Sequence, residues 1–135
     1  MPFALLTIMK IALPAWMEFV SPVFDTARRI LVVESKNDQE VARFELAIEE
    51  LSLPLRVEKL AASGADVLIC GAISKPFAKM ISGKGIEVIP FITGNVEEVL
   101  NAYFSGRLSE PGFFMPGSSS IETGNSKKTR KVTVE

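Results

Sequence analysis

Histidine is absent from all 135 residues of this chain. That removes the commonest general base and the commonest metal ligand, so hydrolysis of the usual histidine-dependent serine, cysteine or zinc kinds is disfavoured. There is one cysteine, Cys70, which cannot close an internal disulfide, so nothing points to an oxidising compartment. Neither charge is in excess. Fifteen basic and 16 acidic side chains leave a net charge of -1 and no general pull toward nucleic acid. Long apolar runs are lacking too. The run over residues 3–9 breaks at Lys10, short of the about 20 residues that span a bilayer, and no basic stretch precedes it as in a signal peptide. These absences predict a cytoplasmic protein with no membrane or nucleic-acid partner.

What is present is a core. Hydrophobic residues make up 47% of the chain, enough for one domain that buries roughly two-thirds of its unfolded surface. Residues 8–14 read as a buried strand closed by Pro14. Residues 15–26 read as a loop holding Trp16, Met17 and Phe19, an apolar cluster expected to pack over a sheet edge, with an exposed interaction patch as the alternative. Residues 29–34 form a second strand, followed by the Asn37-Asp38 turn signal. Residues 40–51 fit both helical and strand spacing.

Further on, strands and helices alternate. A short helix over residues 55–63 ends at Gly64. The apolar run 67–70 reads as a strand covered on both faces. Ser74 caps a helix reaching Ile81, with Pro76 in its first turn. Residues 86–89 form another strand, and Asn95 caps a helix over residues 96–104 that carries Glu97 and Glu98 in its first turn. From Ser109 onward the composition is that of a tail, which ends in the basic cluster 127–131.

Three ordered segments carry a resemblance. They are Met9-Lys10-Ile11-Ala12-Leu13-Pro14 with Val20-Ser21-Pro22-Val23-Phe24, then residues 64–73 (Gly-Ala-Asp-Val-Leu-Ile-Cys-Gly-Ala-Ile), then Gly85-Ile86-Glu87-Val88 with residues 96–100 and Gly106-Arg107-Leu108. Together they resemble the dinitrogenase iron–molybdenum cofactor biosynthesis family, which includes NifX, NafY and the C-terminal part of NifB. The resemblance implies an α/β, ribonuclease H-like three-layer domain over residues 9–108, with a mixed five-stranded sheet flanked by helices. An N-terminal extension, 1–8, and a flexible, partly basic tail, 109–135, would frame it. It also favours a strand at about 41–47.

The function implied is a non-catalytic carrier of an iron–sulfur or molybdenum–iron–sulfur cluster, working with a cofactor-assembly or acceptor protein, as a monomer or weak homodimer. The alternative is a protein-interaction or regulatory module that keeps the fold without a metal site. Two segments depart from the family pattern. Val23 stands where the family loop usually has histidine, and Asp25 where it has glycine. Ser118 and Ser119 follow Phe114-Met115-Pro116-Gly117, where relatives can have cysteine. Both departures remove soft or borderline ligands.

The candidate site gathers at the carboxyl ends of strands, where α/β sheets bind ligands. Cys70 is the candidate metal ligand, against its reading as a small buried hydrophobe. Ser21, Phe24 and Asp25 are candidate cofactor-binding residues: Ser21 as a hydrogen-bond donor, Asp25 as a hard oxygen donor. The competing reading tucks Phe24 into the core and makes Asp25 a turn cap. Gly71, Ser74 and Lys75 could hold an anion at a helix start. No catalytic residue is assigned. Two-metal nuclease chemistry needs clustered carboxylates; the first strand has none, and Asp25, Glu34 and Asp66 are scattered.

Overall fold

Nine mostly apolar residues form the strand around which the chain is arranged, β1 (Ile8–Trp16). The structure, a computed structural model, describes residues 8–49 and 52–115. A two-residue strand, β2 (Phe19–Val20), and a 3-10 turn, Phe24–Thr26, precede β3 (Arg29–Lys36) and β4 (Gln39–Ala47). Then come α1 (Leu53–Ala62), β5 (Val67–Ile69), α2 (Lys75–Gly83), β6 (Glu87–Ile89), α3 (Val96–Phe104) and a second 3-10 turn, Pro111–Phe113. The sheet order is β4-β3-β1-β5-β6, with β2 paired to the end of β1. β3 runs antiparallel to both β1 and β4, while β5 and β6 run parallel to β1. The sheet is mixed, as expected, but has six strands where five were expected, the short β2 being the additional one.

Alternation along the strands divides the core in two. Ile11, Leu13, Leu31, Val33, Val67 and Ile69 face α3. Ala12, Ile30, Val32, Leu68 and Cys70 face α1 and α2. Asn37 and Asp38 both take positive φ, 53° and 64°. That is the two-residue turn whose twist suits a hairpin, and it settles residues 39–47 as strand. Each helix starts at a polar cap: Ser52 accepts from the Leu55 N–H, Ser74 from the Phe77 N–H, Asn95 from the Glu97 and Glu98 N–H groups. Helix α1 begins two residues earlier than expected because Ser52 supplies the cap and Pro54 suits the first turn.

Pro14 does not close β1. Its carbonyl accepts from the Ser21 N–H (2.8 Å), and a strand residue's N–H and C=O point to the same side. The missing N–H therefore faces away from β3, and β1 runs on to Trp16 without losing a ladder bond to β3. Residues 15–26 are accordingly no open loop. Met17, at φ 57°, turns the chain so that Trp16 pairs with Phe19. Nor do Trp16, Met17 and Phe19 pack over the sheet edge; they are 59%, 66% and 45% exposed. The tail expected from Ser109 stays paired through Met115, whose N–H donates to the Phe91 carbonyl. Residues 1–7, Ser118, Ser119 and the basic cluster 127–131 lie outside the described residues.

Asn95 holds two N–H groups that no other cap reaches. Asn95→Ala should lower unfolding stability by about 1 kcal/mol in urea titration, with the folded circular dichroism spectrum unchanged.

Candidate functional site

Three loops leave the carboxyl ends of β1, β5 and β6, and backbone hydrogen bonds fasten them into one rim. The Ala72 N–H donates to the Pro22 carbonyl and the Phe24 N–H to the Ala72 carbonyl, both at 2.8 Å. The Phe91 N–H donates to the Gly71 carbonyl (2.9 Å), and the Val20 N–H to that of Gly94 (2.9 Å). Gly71 is what lets the first two loops meet. A Cβ there would lie 2.5 Å from the Pro22 oxygen and 2.7 Å from the Ser21 oxygen, closer than real contacts come.

The expected residues do come together here, but most face inward. Cys70 is fully buried in the cluster that also holds Phe24, Ile30 and Phe77. Burial pushes its thiol up to about 12, and the nearby Asp25 carboxylate adds to the rise. A neutral, enclosed thiol is a poor nucleophile and a poor metal ligand. The expectation of a thiolate at the rim is therefore corrected: the Ser21–Phe24 segment lies across the strand end and closes it. The raised value also fixes the sign of its pH effect. The neutral thiol contributes fully below the ordinary thiol range, and that contribution is lost as pH climbs toward 12.

The other candidates follow the same pattern. Ser21 is buried, and its hydroxyl donates to the Val23 carbonyl (3.4 Å). Phe24 is buried and meets Phe77 edge-on, with ring centroids 5.4 Å apart, an arrangement worth about 1 kcal/mol beyond area. The Asp25 carboxylate accepts from the Ser74 N–H (3.0 Å). With Ser74 itself capping Phe77 and Pro76 offering no N–H, the start of α2 is largely filled by the chain's own groups. Asp25 and Ser74 thus act on each other, where an incoming anion was expected. Lys75 is exposed beside them, as are Val23 and Phe91.

One organising residue escaped the sequence reading. Arg56 sits on the buried stripe of α1 with Val57 and Leu60. Its guanidinium donates to the carbonyls of Phe24 and Ala27 and lies 6.0 Å from the Phe77 ring centre. It holds the 3-10 turn from below. The available signal was a cation at an apolar position of the helical repeat.

No group of three or more Cys, Asp or Glu side chains that could hold a metal occurs among the described residues. A recess of about 290 Å³ lies away from the expected site, between β4 and the start of α3. Four of its charged side chains are already paired, Arg29 with Glu45 (2.5 Å) and Arg43 with Glu97 (2.8 Å), and Glu18 lines it as well. No described helix is long and apolar enough to cross a membrane.

A family model described as dinitrogenase iron-molybdenum cofactor matches residues 7–106. No curated protein matches the sequence. Among solved structures, the apo form of the orange protein from Desulfovibrio gigas is similar in fold, with a TM-score of 0.63 and 21% identity over 75% of this chain and 91% of that one. A candidate dinitrogenase from Methanocaldococcus jannaschii is likewise similar, with a TM-score of 0.64 and 19% identity over 75% of this chain and 92% of that one.

Gly71→Ala forces a methyl group into the Pro22 and Ser21 carbonyls. It should cost about 1–3 kcal/mol of stability, read as a lower urea midpoint. An unchanged midpoint would mean that the two loops are not in contact.

Proposed function

The chain belongs to the dinitrogenase iron-molybdenum cofactor family, and from that premise we propose that it is a non-catalytic carrier for a metal–sulfur cluster or its precursor. The cluster is cargo, received from and passed to an assembly or acceptor protein, and the site of action is the cytoplasm. The single observation carrying this reading is the family match, which runs from the first strand through the last helix and includes all three rim loops. The sheet order supports the ribonuclease H-like arrangement that the resemblance implies. A D. gigas protein called the orange protein, similar in fold, is consistent with it.

The geometry shapes how such cargo would be held. With Cys70 enclosed and Asp25 engaged by Ser74, side-chain ligation gives way to contact with the exposed rim. Val23 and Phe91 offer apolar surface there, and Lys75 offers one positive charge to an anionic sulfide cluster. A second reading, a protein-interaction module that has kept the fold, draws on the exposure of Trp16, Met17 and Phe19.

Anaerobic titration with a soluble molybdenum–sulfur anion separates the two. The carrier reading expects saturable binding that Cys70→Ser leaves unchanged. Lys75→Glu should weaken it by about 1 kcal/mol, roughly fivefold, with the effect fading in salt. Loss of binding in a folded Cys70→Ser variant would make the thiol a ligand after all. No binding by the parent chain would favour the interaction module.

A further inference from the structure

Strand β4 ends the sheet, and no described element pairs with its outer side. Eight of its nine residues are exposed, among them Phe44 at 44% and Val41 at 56%. An open edge this long is a template for another strand unless something covers it.

The direction of its backbone groups can be read from the ladder. The Ile48 N–H donates to the Arg28 carbonyl (2.9 Å), and the pairing runs without a shift from Arg29↔Ala47 to Glu34↔Ala42. Backbone groups alternate in direction along an antiparallel pair. Leu46, Phe44 and Ala42 therefore aim theirs at β3, while Ala47, Glu45 and Arg43 aim theirs out of the sheet.

We infer that this edge pairs with the same edge of a second copy of the chain, antiparallel about a two-fold axis at Phe44. Charge decides the register. Outward groups must meet outward groups, so the axis passes through a residue, and near the middle of β4, where the longest ladder forms, that residue is Arg43, Phe44 or Glu45. At Arg43 it sets that arginine against its own copy, and at Glu45 it does the same for the glutamate. Like charges directly opposed destabilise a ladder.

At Phe44 the axis sets Arg43 against Glu45 twice. Both lie on the α3 face, opposite Val33 and Leu31. On the other face Ala42 meets Leu46, and the two Phe44 rings meet at the axis, in the type of pair where side chains approach most closely. Within each chain Arg29 already holds Glu45 at the edge (2.5 Å), and Glu40 and Glu97 hold Arg43. The two charged side chains are thus fixed in place before a partner arrives. The contact is self-complementary, as a two-fold interface must be.

The test uses the full chain. Sedimentation equilibrium across the micromolar range should give twice the chain mass of 14.7 kDa. Phe44→Lys should sediment as a monomer with an unchanged circular dichroism spectrum. Phe44→Cys should form a disulfide-linked dimer under mild oxidation, because the axis brings residue 44 against itself and the native Cys70 is buried. Arg43→Cys and Glu45→Cys should cross-link far less, since each faces the other position. A monomeric parent, a dimer that survives Phe44→Lys, or stronger cross-linking from position 43 or 45 would each overturn the proposal.

Discussion

The contact between the segment after β1 and the loop after β5 governs everything at the carboxyl end of this sheet. Two peptide hydrogen bonds join Pro22, Ala72 and Phe24, and they form only because residue 71 has no side chain. Around that contact the molecule is arranged on both sides. Above it, Asp25 reaches Ser74. Below it, Phe24 enters the core against Phe77, and Arg56 holds the carbonyls of the turn. Each of these depends on the two loops lying side by side.

The same contact sets what the site can do. A free thiol at a strand end and open amides at a helix start are the two features that would let the chain ligate a cluster directly. The closure takes the thiol, which becomes a neutral core group, and much of the helix start, where Asp25 meets the Ser74 N–H and Ser74 meets that of Phe77. Under the proposed carrier role, cargo would be held at the exposed rim by surface contact and charge.

Local chemistry was legible in the sequence. The caps Ser74 and Asn95, the Asn37-Asp38 turn and the apolar strand after Asp66 are each dictated by residues within a few positions. The fate of Cys70 is not, because what covers it is a segment some 50 positions away in sequence, as the 49-residue separation of Asp25 and Ser74 shows. Pro14 misled for a related reason. Whether a proline ends a strand depends on which side its absent N–H faces, and composition does not record that. β4 fitted two periodicities, and its pairing with β3 decided between them. Arg56 was passed over because its cation, on an apolar helical stripe, has meaning only once the carbonyls of Phe24 and Ala27 are above it.

The central claim is that the rim is closed over the thiol in the resting protein. The rate at which a small alkylating reagent modifies Cys70 in the native chain at pH 8 measures this directly, with the urea-unfolded chain as reference. A closed rim, with the thiol pushed up to about 12, predicts that the native protein stays unmodified while the unfolded chain reacts readily. Rapid modification of the native protein, at a rate near that of the unfolded chain, would contradict it.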